Sequence, residues 1–137
     1  MSQNIHATCI NLNSKGILLL GDSGAGKSDL ALRLITLFSA SLVSDDRTDV
    51  VRISDKIKAK APDVLKGLLE VRGVGIVNFE YMEETTVDVV IKLEPEKQER
   101  LPEKQYYELE GIKLPLFKIN PFEVSAPSKV LSILRLL

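Results

Sequence analysis

The chain has 137 residues, 45% of them hydrophobic, with 18 basic against 19 acidic side chains and a formal net charge of −1. That length suits one domain with an ordinary buried core, and the balanced charge excludes the basic footprint of a nucleic-acid binder. A single cysteine excludes an internal disulfide, and no apolar run is long enough to span a bilayer, so the expectation is one cytoplasmic domain over residues 1–137 with neither nucleic acid nor membrane as partner.

Residues 5–12 read as a strand, and the turn Asn13-Ser14-Lys15-Gly16 leads back into the apolar run Gly16-Ile17-Leu18-Leu19-Leu20, which together predict a hairpin. Cys9 lies among Ala7, Thr8 and Ile10 without metal-ligand spacing, as a buried apolar thiol would. His6 is the only histidine, and composition assigns it no role.

The second strand runs into Gly21-Asp22-Ser23-Gly24-Ala25-Gly26-Lys27-Ser28, which fits the phosphate-loop pattern of Gly, four variable residues and Gly-Lys-Ser/Thr. Its setting agrees, because Leu30, Leu34 and Ile35 mark one face of a helix that follows. A loop that wraps a polyphosphate must turn its N–H groups inward and let the anion approach closely, which Gly21, Gly24 and Gly26 permit. The helix N-terminus adds unpaired N–H groups, Lys27 a point charge for the outer phosphates, and Ser28 a hydroxyl for Mg²⁺. A nucleotide site is predicted.

Next, Ala40-Ser41-Leu42-Val43-Ser44-Asp45-Asp46-Arg47 brings two adjacent carboxylates to the end of an apolar segment. Ligands collect at the carboxyl ends of strands in open α/β sheets, so Asp45 or Asp46 is a candidate to hold Mg²⁺ or to take a proton from an attacking hydroxyl. A surface turn with Arg47 as partner is the alternative. Residues 48–57 alternate as one half-buried strand, and residues 61–68 read as a turn or short helix. In Leu69-Glu70-Val71-Arg72-Gly73-Val74-Gly75-Ile76-Val77-Asn78, the two glycines suggest a bulge or a close backbone approach, with Glu70 and Arg72 on one face of an extended start. Residues 86–93 alternate as a strand, residues 94–104 form a charged loop with Pro95 and Pro102, and Val130, Leu131, Leu134 and Leu137 follow helical spacing near the end. Hairpins suggested at both ends of the chain imply antiparallel pairing, hence a single α/β P-loop domain with a mixed central sheet.

Taken together, His6, the loop 21–28, Leu42-Val43-Ser44-Asp45-Asp46-Arg47 and the block 69–76 resemble the C-terminal catalytic domain of the HPr kinase/phosphorylase family, without that family's N-terminal domain. The resemblance implies an ATP-dependent kinase that phosphorylates a serine of HPr, the small phosphocarrier protein of the sugar phosphotransferase system, and that in many members also removes the phosphate by phosphorolysis. By resemblance, the loop 21–28 binds ATP, Lys27 is catalytic, Ser28 and Glu70 hold Mg²⁺, and Asp45 is proton acceptor in the kinase direction and donor in reverse. His6 corresponds to an active-site histidine, and Glu96-Lys97-Gln98-Glu99-Arg100-Leu101 resembles the segment whose arginine is catalytic, which makes it Arg100.

Asp46 remains an alternative base. Residues 112–122 stand where long-form relatives carry an arginine-rich loop tied to dephosphorylation, and here the span holds no arginine, its cations being Lys113 and Lys118. Guanidinium grips phosphate by a bidentate fork, so this change counts against phosphorolysis more than against kinase action. The resemblance further implies a homo-oligomer, a hexamer in the family. Two other functions fit the loop alone: a nucleotide-sensing module without phosphotransfer, and a small-molecule kinase.

Overall fold

The computed structural model describes residues 2–137 as eleven strands and two α-helices. The strands are β1 (Ser2–Ile5), β2 (Thr8–Leu12), β3 (Lys15–Leu20), β4 (Ser41–Ser44), β5 (Thr48–Ile53), β6 (Lys56–Lys60), β7 (Leu68–Val71), β8 (Gly75–Asn78), β9 (Thr85–Leu93), β10 (Gln105–Leu109) and β11 (Ile112–Ile119). The helices are α1 (Lys27–Phe38) and α2 (Ala126–Leu134), with a short 3₁₀ turn over Asp63–Leu65.

Strands β3, β9 and β11 are parallel at the centre, and antiparallel pairs flank them, so the sheet is mixed as the hairpins predicted. Strand β9 borders β3 along one edge; on the other, its first residues pair with β6 and its last with β11. From β3 the sheet continues through β2 to β4, and from β6 through β5 to β1.

Strand alternation divides the core between two faces. Ile17 and Leu19 of β3 and Val89 and Ile91 of β9 pack with Leu30, Ala31 and Leu34 of α1 and Val130 and Ile133 of α2. Leu18 and Val90 point the opposite way, against Val50, Ile57 and Ala59 of the β5–β6 hairpin and Leu109 and Leu114 of the β10–β11 hairpin. Cys9 is fully buried in this second layer, where desolvation pushes its thiol pKa up and leaves it inert.

The period breaks once in β9. Gly16 pairs with Val87 but Ile17 with Val89, so Asp88 is the extra residue, and its Oδ2 accepts the Gly16 N–H at 2.9 Å. This bulge presses the two backbones together: a Cβ at Gly16 would lie 1.9 Å from the Thr86 carbonyl oxygen.

Three elements depart from the sequence expectation. Residues 5–12 are not one strand, because the chain breaks at His6 and Ala7; β1 pairs with β5 while β2 pairs with β3 and β4. Residues 48–57 are two strands joined by a tight turn at Ser54 and Asp55, which the alternating pattern passes straight through. Glycines 73 and 75 serve a hairpin turn and not a close approach, since both have positive φ and a Cβ at either would meet nothing within 4 Å. At the end, Val130 is buried and Leu131 and Leu134 half-buried, but Leu137 lies beyond α2, exposed. Among the described residues, no helix is long and apolar enough to cross a membrane.

Candidate active site

The carboxyl end of β3 passes into the loop 21–28 and then into α1, whose first residue is Lys27. Gly26 precedes the helix with φ 94°, a left-handed conformation, and a Cβ there would come within 3.3 Å of Pro121. Both the backbone and the space therefore call for glycine. Among the described residues no side chain caps α1, so its first-turn N–H groups, which have no partner inside the helix, remain for an anion.

Lys27 is buried, and its Nζ donates to the carbonyl oxygens of Gly21 at 2.7 Å and Asp22 at 3.1 Å. Desolvation lowers its pKa, against the opposing pull of Asp46, Asp45 and Asp22. Its hydrogen-bond partners are neutral, so a phosphate oxygen at the same loop is a stronger acceptor for this ammonium.

The two carboxylates after β4 have different environments. Asp45 is buried: its Oδ1 accepts from Ser28 Oγ at 2.6 Å and Thr8 Oγ1 at 3.0 Å, and its Oδ2 accepts the Glu70 backbone N–H at 3.2 Å. This one side chain therefore ties together the phosphate loop, β2 and the β7–β8 hairpin. Asp46 has φ 67°, its side chain is 62% exposed, and its Oδ1 lies 2.8 Å from His6 Nε2. Its backbone N–H donates to Thr8 Oγ1 at 3.1 Å, so the Thr8 hydroxyl serves both aspartates at once. The turn is closed by the Arg47 N–H on the Asp45 carbonyl at 2.7 Å and by Ser44 Oγ on the Arg47 carbonyl. Arg47 holds this turn with its backbone; among the described residues it forms no ion pair with either aspartate.

The block 69–78 is the β7–β8 hairpin, a two-stranded sheet of its own in which Glu70 faces Ile76 across the ladder. Leu69 is fully buried and anchors it, leaving Glu70 and Arg72 to line a cleft of about 600 Å³ with Ser28, Asp45, Asp46 and the residues of the loop. Glu70 and Arg72 are not an ion pair among the described residues, because Arg72 falls in the turn after β7 and not on the strand.

The fold thus gathers Gly24, Gly26, Lys27, Ser28, Asp45, Asp46 and Glu70 around one cleft, with His6 attached through Asp46. It does not bring Arg100 there; Arg100 is exposed in the irregular stretch 94–104. Three contributors escaped the sequence reading. Thr8 carries no motif, and a hydroxyl two residues after His6 is the signal the sequence offers. Phe122 lines the cleft, and Arg33 Nη2 donates to the Pro121 carbonyl at 2.6 Å to fix its turn; neither carries a motif.

The oxygen donors suit Mg²⁺, which takes one or two carboxylates together with substrate phosphates. Ser28 Oγ and Asp45 Oδ1 already meet, and Glu70 lies on the same cleft. Among the described residues, no group of three or more His, Cys, Asp or Glu side chains could hold a metal ion by itself.

Comparison with known proteins bears on this arrangement. The family model of the HPr Serine kinase C-terminal domain matches residues 1–131. The HPr kinase/phosphorylase of Caldicellulosiruptor bescii is 36% identical over 127 residues, covering 83% of this chain and 40% of that protein. That of Lactiplantibacillus plantarum is 35% identical over 107 residues, covering 70% of this chain and 34% of the relative. The chain therefore spans well under half the length of these relatives. Among solved structures, the Hpr(Ser) kinase/phosphatase from Coxiella burnetii superposes with a TM-score of 0.83 at 24% identity, covering 97% of this chain and 94% of that one, which is a likeness of fold.

Proposed function

The chain belongs to the HPr Serine kinase C-terminal domain family, and from that premise we propose that it transfers the γ-phosphoryl group of ATP to a serine hydroxyl of an HPr-like phosphocarrier protein. The observation that supports this reading is the Asp45 carboxylate, held by Ser28 at the end of the phosphate loop and by the Glu70 N–H of the hairpin. A carboxylate fixed at the point where loop and cleft meet serves phosphoryl transfer, in which positioning and charge stabilisation do most of the catalytic work.

In this proposal the loop N–H groups and Lys27 bind the ATP phosphates, with Lys27 turning from the Gly21 and Asp22 carbonyls to phosphate oxygen. Ser28 and Glu70 would hold Mg²⁺, which supplies positive charge against the phosphoryl oxygens when bound. The incoming serine hydroxyl gives its proton to Asp45, whose Oδ2 has a single hydrogen bond and a lone pair to spare. Asp46 is the alternative acceptor, more exposed and backed by His6. When inorganic phosphate attacks phosphoserine to form pyrophosphate, the same carboxylate returns the proton to the serine oxygen, although β11 and the turn after it offer two lysines, Lys113 and Lys118, and no arginine for that direction. Arg100 is proposed as a second cation, carried toward the phosphates by the 94–104 segment.

Incubating the protein with γ-labelled ATP and HPr-like carriers, then locating the modified residue, tests the proposal. Label on a carrier serine is expected. Nucleotide binding without transfer points to a sensor, and ATP turnover that ignores the carrier points to another acceptor; either result refutes it.

A further inference from the structure

An aromatic ring stands in water beside the phosphate loop. Phe122 is 64% exposed, yet it lines the cleft that holds Gly26, Lys27, Ser28 and Asp29, and its Cε1 lies 3.6 Å from where a Cβ on Gly26 would be. The turn that carries it is tied down from three directions. Phe122 N–H donates to Asn120 Oδ1 at 3.0 Å, Asn120 Nδ2 donates to the Pro95 carbonyl at 3.0 Å, and Arg33 holds the Pro121 carbonyl.

Arg33 sits seven residues after Gly26, two turns along one face of α1, and its Nε lies 3.2 Å from Asp29 Oδ2. That distance gives charge attraction, although the Nε–H is not aligned for a hydrogen bond. The turn that carries the ring is thereby held at the level of the loop's last glycine.

A nucleoside triphosphate has an anionic tail and a flat base. The loop supplies N–H groups and a lysine for the tail but nothing that recognises the base. Asp45 meets the cleft at Ser28, where the outer phosphates belong, whereas Phe122 meets it at Gly26. An exposed ring face offers a base a stacking surface that needs no hydrogen-bond pattern. We infer that Phe122 is the nucleoside platform of this cleft, stacking on the base of a nucleotide whose phosphates occupy the loop; this rests on the nucleotide reading above and adds what holds the other end of the molecule.

Calorimetric titration of the full 137-residue chain with ATP and with inorganic tripolyphosphate, each with Mg²⁺, tests it, because the second ligand has the tail and no base. Phe122→Ala should weaken ATP about tenfold and leave tripolyphosphate within about twofold, and Phe122→Trp should restore ATP binding. If Phe122→Ala leaves ATP affinity intact, or weakens both ligands equally, the platform is refuted while the nucleotide reading stands. A loss confined to the KM for the protein acceptor also refutes it, and assigns the ring to that partner. If the wild-type chain binds neither ligand, the nucleotide reading itself fails and the platform with it.

Discussion

Thr8→Val is the most informative single change outside the phosphate loop. Thr8 is fully buried, donates to Asp45 Oδ1 at 3.0 Å and accepts the Asp46 N–H at 3.1 Å. Valine keeps the branched shape and removes only the hydroxyl, so packing is nearly constant while both hydrogen bonds go. A bond to an ionised acceptor is worth roughly 1.5–3 kcal/mol net, and an orphaned buried N–H costs roughly 1–3 kcal/mol. The second figure falls toward its lower limit here because Asp46 is exposed and water can reach it. A loss of about 3 kcal/mol follows, or about 10 °C in Tm for a domain of this size. Thr8→Ser keeps the hydroxyl and gives up one methyl, about 0.8 kcal/mol. Thermal denaturation with phosphoryl-transfer and ATP-binding assays reads both variants: Thr8→Val should lose stability and about tenfold in transfer, with ATP affinity little changed, because Asp45 keeps Ser28 and Glu70 but loses its third anchor. A Thr8→Val protein within about 2 °C of wild type that transfers phosphate normally would refute the reasoning.

Lys27→Met should reduce ATP affinity at least about tenfold without lowering Tm near neutral pH, since it removes a charge that burial disfavours. Because the folded-state pKa of Lys27 lies below its ordinary 10.5, the unfolded chain binds more protons between those two values, so wild-type stability relative to Lys27→Met should rise as pH climbs through that window; an identical pH profile in thermal melts would contradict this. Asp45→Asn and Asp46→Asn identify the proton acceptor: the variant at the true base should lose about 10²–10⁴-fold in transfer rate while still binding ATP. Gly16→Ala should destabilise by about 3 kcal/mol or more in urea titration, because its Cβ would meet a backbone carbonyl that no rotamer can move aside. Arg100→Ala should leave Tm unchanged, its side chain being exposed, and lower transfer about 10²-fold in a steady-state assay where ATP affinity stays constant.

The phosphate loop was legible in the sequence because its chemistry is local: glycines, lysine, serine, and the strand and helix on either side all lie within one continuous stretch. The central strands were legible too, since Ile17-Leu18-Leu19 is an apolar run buried on both faces and residues 86–93 carry their own alternating pattern. Local pattern could not decide where a strand stops when the next one continues the same alternation, as at Ser54 and Asp55, or where two strands of one run pair with different neighbours, as around His6. Nor could it rank the two aspartates. Although the two are adjacent in sequence, Asp46 itself takes a left-handed conformation, which leaves Asp45 turned inward to Ser28, Thr8 and the hairpin and Asp46 outward to His6. That division depends on contacts between residues up to 40 positions apart, and only the packing of β2, β4, α1 and β7 against one another creates them.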